Sequence, residues 1–141
     1  MWAKDVTTEI VVDDDSSRGR VTVFHLTWRR SDPFAVTMEL VSRPEHPALP
    51  RGVWVAPRDS LRAGLDAPVG DGNVRITPEP VDGRRQAGVR LDLANGDRQS
   101  VVVLEAAPLR SFLDRTESVV PAGEEHPERE LDEVLSALLR T

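Results

Sequence analysis

The sequence contains no cysteine and only one lysine, Lys4, among its 18 basic residues. The absence of cysteine excludes disulfide bonds, catalysis by a thiol and metal sites with cysteine ligands. No apolar run approaches the roughly 20 residues that a membrane-spanning helix needs, so the sequence predicts no transmembrane segment. The N-terminal residues lack the basic start and apolar core of a secretory signal, and we expect none. These absences are compatible with a reducing cytoplasm.

The length of 141 residues predicts one domain over residues 1–141, with a hydrophobic content of 39% and a charged content of 30%. The net charge of −6 repels a nucleic-acid backbone unless the charges are strongly segregated. The near-exclusive use of arginine indicates either a GC-rich genome or recognition of phosphate or RNA by guanidinium groups. The arginines are scattered singly rather than clustered, which favours the first explanation.

Alternation of apolar and polar side chains predicts seven strands. They cover residues 7–12, 20–29, 35–41, 53–55, 74–77, 89–93 and 100–105. Polar residues from Asp13 to Ser17 predict a solvated turn after the first strand. The prolines between Ser42 and Pro50 predict an extended, stiff connection. Asn95-Gly96 predicts a tight hairpin, because both turn positions would need positive φ.

Two stretches, Arg51 to Gly72 and Gln99 to Gly123, follow the same order. A valine-rich strand runs almost directly into a helix that carries Leu-Arg and then Leu-Asp, and each stretch closes on Pro and Gly. Pro57 suits the first turn of the first helix, and Gly64 weakens that helix by about 1 kcal/mol relative to alanine. The sequence therefore predicts an α+β domain built from two strand-then-helix halves.

Three helices carry apolar side chains at helical spacing. These side chains are Leu61 and Leu65 in the first helix, Leu109, Phe112, Leu113, Thr116 and Val120 in the second, and Leu131, Val134, Leu135, Leu138 and Leu139 in the third. The third stripe needs cover from the same domain or from another subunit. The predicted core consists of Phe24, Leu26, Val36, Leu40, Leu61, Leu65, Leu91, Val102, Leu109, Phe112 and Leu113.

No Gly-rich phosphate loop, nucleophile elbow, zinc signature or Rossmann fingerprint is present. His25 lies in the middle of a predicted strand without a serine, a cysteine or a carboxylate pair, so we expect a structural histidine. His126 is alone in an acidic loop, and Asp13–Asp15 lacks the spacing of a calcium loop. Trp28 and Trp54 could stack on bases, but we favour core packing or subunit contact. We therefore predict no enzyme, no catalytic or metal-binding residue and no cofactor.

An ordered set of short motifs extends over nearly the whole chain, most densely over residues 32–75 and 109–139. The motifs are Asp32-Pro33-Phe34-Ala35-Val36, Trp54-Val55-Ala56-Pro57-Arg58-Asp59, Gly64-Leu65, Gly70-Asp71-Gly72-Asn73-Val74-Arg75, Leu109, Phe112-Leu113, Arg115-Thr116 and Val120-Pro121-Ala122-Gly123-Glu124. Through this set the sequence resembles the SsgA-like family of sporulation and cell-division proteins of filamentous actinomycetes. The sequence departs from the family pattern in the loop from Ser42 to Pro50 and in the polar strand end Trp28-Arg29-Arg30.

The resemblance implies a Whirly-like fold of curved antiparallel sheets with helices, assembled as a trimer. It also implies a non-enzymatic adaptor that is recruited to the division septum. The partners would be the tubulin-like division GTPase FtsZ, peptidoglycan machinery or other SsgA-like proteins. The alternative is a single-stranded nucleic-acid binder on the same scaffold. We expect no tight binding of nucleic acid, because the adjacent arginine pairs, Arg29-Arg30 and Arg84-Arg85, are flanked by acidic or neutral residues.

Overall fold

The structure is a computed structural model of the chain, and it describes residues 5–15, 19–44, 52–81 and 84–125. In chain order the elements are β1 (Val6–Asp15), β2 (Arg20–Arg29), β3 (Asp32–Arg43), β4 (Gly52–Pro57), α1 (Arg58–Ala63), β5 (Val69–Asp71), β6 (Val74–Val81), β7 (Arg84–Asn95), β8 (Arg98–Glu105) and α2 (Ala106–Val119). All seven predicted strands are present, and β5 is an additional one. The predicted third helix, from Leu131 to Leu139, lies outside the described residues.

Strands β1 to β4 form an antiparallel sheet in chain order, which we call the first sheet. Because successive side chains of a strand point to opposite sides, β2 buries Phe24, Leu26 and Trp28 on one face. In β3, Val36 lies opposite Trp28 and Met38 lies opposite Leu26, and both β3 side chains are buried. This inner face of the first sheet forms one wall of the core.

Strands β5 to β8 form a second four-stranded antiparallel sheet, again in chain order. The hairpin predicted between β7 and β8 is confirmed, but its turn is shifted by one residue. Asn95 pairs with Arg98 as the last residue of β7, so the turn residues are Gly96 and Asp97. Gly96 has a φ of 62°, the left-handed region that glycine adopts without a steric cost.

Each helix begins at the residue after a strand ends, which confirms the two strand-then-helix halves. Pro57 before α1 and Glu105 before α2 have nearly identical extended backbones, with ψ angles of 138° and 139°. Helix α1 ends at Ala63, so Leu65 follows the helix rather than lying within it. Leu65 is nevertheless buried.

The two sheets and both helices share one hydrophobic core. All eleven predicted core residues are buried, so the predicted core is confirmed. Helix α2 contributes Phe112, one of the two phenylalanines of the predicted core, and this side chain has no exposed surface. The helix contacts β1, β7 and β8, and therefore covers the core at the side where the two sheets approach each other.

Two predicted connections differ from the structure. Asp13, Asp14 and Asp15 pair with β2 beyond a bulge and belong to β1 rather than to a turn. Backbone pairing with β2 overrides the weak strand propensity of aspartate. Ser42 and Arg43 belong to β3, so the proline-rich connection starts later than predicted. Residues 45–50 of that connection lie outside the described residues.

Candidate interaction surface

Strand β4 is a border strand of the first sheet, and its solvent-facing side chains are apolar. Burial alternates strictly through this strand, with Gly52, Trp54 and Ala56 inside and the other three residues outside. The exposed residues are Val53, Val55 and Pro57, and we call them the β4 apolar edge. Both valines have 60% of their surface exposed. No residue of β4, the strand at this border of the first sheet, is charged.

The opposite border of the same sheet is acidic. Glu9 is exposed on β1, and the chain from Asp13 to Asp15 continues that strand. Charged side chains on an edge strand discourage pairing with another chain. Among the described residues, the first sheet thus has acidic residues in the edge strand β1 and no charged residue in the edge strand β4.

His25 lies in the centre of the outer face of the first sheet, where it is half-buried. Glu9 of β1 and Glu39 of β3 are its cross-strand partners, and Arg43 forms an ion pair with Glu9 at 2.5 Å. The described residues contain no group of three or more metal-ligating side chains. The role of His25 as a structural histidine stays a prediction, and His126 lies outside the described residues.

Both tryptophans that were considered as base-stacking platforms point into the core. The indole Nε1–H of Trp28 donates to the carbonyl oxygen of Pro33 at 2.9 Å. The indole Nε1–H of Trp54 donates to the carbonyl oxygen of Ala94 at 2.9 Å, and so ties β4 to β7 of the second sheet. This burial confirms core packing for both side chains and leaves neither ring exposed for stacking on bases or for subunit contact.

A groove of about 530 Å³ lies on the second sheet. Arg75, Thr77, Arg90, Asp92 and Gln99 contribute to its lining. Within the groove, Arg90 Nη2 lies 3.0 Å from the carboxylate of Asp92. The groove therefore carries mixed charge, and one of its two arginines is already partnered by a carboxylate of the same strand.

The two adjacent arginine pairs of the sequence, Arg29-Arg30 and Arg84-Arg85, lie in different hairpins. Arg29 and Arg30 are exposed at the connection between β2 and β3 in the first sheet. Arg84 and Arg85 begin β7 of the second sheet, and their side chains are outside the described part of the structure. The two pairs belong to strands and turns of different sheets, so they do not follow one another along a single strand or turn.

Helices α1 and α2 are joined by two arginines of α1. Arg62 lies 2.8 Å from Asp114 and 2.7 Å from Glu117. Burial alone would lower the pKa of Arg62, but the hydrogen bonds and charges of these two carboxylates raise it above its ordinary value. Arg58 is buried, and its guanidinium lies over the Trp28 ring at 5.4 Å from the centroid. The sequence pattern placed Arg58 in a motif but did not predict its burial.

The elements above define a small α+β domain with two antiparallel four-stranded sheets. A family model described as "Streptomyces sporulation and cell division protein, SsgA" matches residues 22–125, and the chain belongs to this family. The sporulation-specific cell division protein SsgB of Streptomyces coelicolor is 35% identical over 114 residues, which are 81% of this chain and 79% of that protein. SsgB of Kineococcus radiotolerans is 36% identical over 88 residues, which are 61% of this chain and 52% of that protein.

Two solved structures confirm the fold class. One is described in connection with mutations in SsgB that correlate to longitudinal cell division during sporulation of Streptomyces coelicolor. It has a TM-score of 0.71, 29% identity, and coverage of 88% of this chain and 94% of its own. The other is the SsgA-like sporulation-specific cell division protein of Thermobifida fusca, with a TM-score of 0.70, 26% identity, and coverage of 96% of this chain and 95% of its own.

Proposed function

We propose that this chain is a non-enzymatic regulator of sporulation-specific cell division. It acts as an adaptor that helps to localise the division GTPase FtsZ or the peptidoglycan machinery to septation sites. The family and the names of its relatives support the process. Sporulation-specific cell division is the best-supported process for the chain, because relatives named for it share about one-third of their residues and a similar fold with the chain.

The β4 apolar edge is the observation that carries the adaptor mode of action. Exposed strand edges with apolar side chains are the places where a second chain adds to a sheet. Val53 and Val55 lie on such an edge, and Pro57 ends it. A partner that supplies an extended apolar segment would bury both valines and use the main-chain groups of β4.

The test is the capture of division proteins from sporulating cells of the native host. Val53→Glu/Val55→Glu places two charges on the β4 apolar edge and should abolish capture of FtsZ or of peptidoglycan machinery. The matched control is Val101→Glu/Val103→Glu, which alters an exposed valine pair at the same spacing on β8 of the second sheet. Circular dichroism shows that each variant is folded. Equal capture by the wild type and both variants would remove the β4 apolar edge from the proposal.

The alternative function is a single-stranded nucleic-acid-binding protein on a Whirly-like scaffold. Such proteins combine a basic groove with exposed aromatic platforms. Among the described aromatic side chains only Phe34 is largely exposed, at 44%, and the net charge is −6. A titration with a labelled single-stranded oligonucleotide near physiological salt should show no tight binding. Submicromolar, salt-sensitive binding that Arg29→Glu/Arg30→Glu abolishes would favour the alternative.

Assembly as a trimer and recruitment from the cytoplasm to the septum complete the proposal. An open β4 edge and an apolar C-terminal sequence pattern both favour contacts between chains. Light scattering should give three times the mass of one chain, which is 15.6 kDa. A monomer at micromolar concentration would contradict the trimer. No helix of the described part is long and apolar enough to cross a membrane.

A further inference from the structure

Residues 120–125 follow α2 and return to the corner where the two helices meet β2, and we call them the strap. Gly123 has a φ of 87°, so it supplies the left-handed conformation that the return requires. The N–H of Glu124 donates to the carbonyl oxygen of Pro121 at 3.0 Å and closes the turn. Pro121, Ala122, Gly123 and Glu124 are all exposed. Most of the strap therefore contributes little to the core.

Two residues of the strap are not exposed. Val120 is half-buried against the core, and the side chain of Glu125 is only 3% exposed. Its Oε2 lies 3.3 Å from Nη2 of Arg58, and its Oε1 accepts the N–H of Gly123 at 2.6 Å. Burial alone would raise the pKa of Glu125. The backbone N–H groups of Glu125 and Gly123, together with the Arg58 guanidinium, lower it below its ordinary value. The carboxylate is therefore ionised at neutral pH and attaches the end of the strap.

Arg58 is the partner of this carboxylate. The surrounding residues provide hydrogen-bond partners for only some of the N–H groups of its guanidinium. Its Nη1 donates to Thr116 Oγ1 at a long 3.4 Å, and the Trp28 ring covers one face. Within the described residues, Nε and Nη2 make no hydrogen bond of good geometry. A buried cation without its anion costs much free energy, so the strap and Arg58 depend on each other through a single ion pair.

We propose that the Arg58–Glu125 pair is a latch, and that the strap opens as a unit while the sheets and α2 stay folded. Segments with few buried apolar contacts open with a smaller free energy than the whole domain. Opening would expose Arg58, Trp28 and Thr116 as a site for another carboxylate. The latch is thus a conformational device separate from the β4 apolar edge.

Hydrogen exchange of the full chain, measured amide by amide by NMR, tests the latch. Glu125→Gln keeps the shape of the side chain and removes its charge. Exchange at Gly123 and Glu124, whose N–H groups form the hydrogen bonds of the strap, should become about tenfold faster, since hydrogen bonds to charged groups contribute more than neutral ones. In the wild type, these two amides should already exchange faster than Leu113 in α2 and Leu91 in β7, and with less dependence on denaturant, because the strap opens without the rest of the domain.

The matched control is Glu124→Gln, which makes the same charge change at the neighbouring, exposed residue and should leave exchange in the strap unchanged. A shift of the Trp28 indole resonance in Glu125→Gln, absent from Glu124→Gln, would show that the guanidinium has left the ring. Unchanged exchange at Gly123 and Glu124 would overturn the latch. Strap amides of the wild type that are as protected, and as dependent on denaturant, as Leu113 and Leu91 would also overturn it, because the pair would then belong to the global structure. Failure of Glu125→Gln to fold would overturn it for the same reason.

Discussion

Replacing Gly64 by alanine should destabilise the domain, although helix propensity alone predicts the opposite. Gly64 follows α1 with a φ of −66°, a conformation that alanine adopts without strain. A Cβ atom at this position would lie 2.1 Å from Cγ2 of Ile76 and 2.7 Å from its Cβ, whereas carbon atoms pack at about 3.5–4.0 Å. Ile76 is buried, so it has no room to move without displacing the core.

The magnitude follows from two opposing effects. Removing the flexibility of glycine stabilises by about 0.5–1 kcal/mol, while overpacking a filled core costs about 1–3 kcal/mol. We therefore expect Gly64→Ala to lower the free energy of unfolding by about 1.3 kcal/mol, the difference between the midpoints of these two ranges. Urea unfolding followed by far-ultraviolet circular dichroism measures it. A Gly64→Ala variant as stable as the wild type, or more stable, would refute the close contact.

Two further variants separate the contact from helix propensity. Ala63 is exposed at the end of the same helix, so Ala63→Gly should cost about 0.5–1 kcal/mol through propensity alone. Ile76→Leu removes the Cγ2 methyl group and should recover part of the loss when combined with Gly64→Ala. Full additivity of Gly64→Ala and Ile76→Leu would mean that the two positions do not interact.

Two other predictions concern α2 and the strap. Phe112→Ala should lower the free energy of unfolding by about 3–5 kcal/mol, because Phe112 has no exposed surface; a loss below about 1 kcal/mol in urea unfolding would mean that α2 does not pack as described. Folding lowers the pKa of Glu125. The stability that the ionised side chain contributes is therefore fully present above its ordinary pKa of about 4.5, and it is lost as the pH falls through the lowered pKa of the folded state. The stability advantage of the wild type over Glu125→Gln should therefore be constant near neutral pH and decline only in acid, as urea midpoints between pH 7 and pH 3 will measure; an advantage that grows as the pH falls would contradict the ion pair.

The sequence predicted the strands whose side chains alternate, and it failed where backbone pairing determines the structure. Strand β5 contains only Val69, Gly70 and Asp71, and Gly70 has a φ of 100°, so no alternation marks it. Asp13–Asp15 resembles a turn because aspartate favours turns, yet the ladder with β2 keeps these residues in a strand. Neither feature is visible without the partner strand.

The candidate surface was harder to predict than the core. Val53 and Val55 were assigned to a strand, but the pattern could not show that β4 is an edge, since an edge depends on which strands pair. Arg58 follows Pro57 at the start of a helix, where an arginine is ordinarily exposed. Its burial depends on Trp28 and Glu125, which are distant in sequence. Contacts between distant residues therefore define both the proposed docking edge and the latch.

Complementation in living cells tests most directly whether the chain localises the division machinery through the β4 apolar edge. The native host is deprived of the gene and supplied with the wild type, Val53→Glu/Val55→Glu or the control Val101→Glu/Val103→Glu, and fluorescent FtsZ is imaged during sporulation. We expect the wild type and the control to restore regularly placed FtsZ at the septa, whereas Val53→Glu/Val55→Glu, present at equal level, should not. Regular FtsZ placement with all three chains, or without the gene, would contradict it.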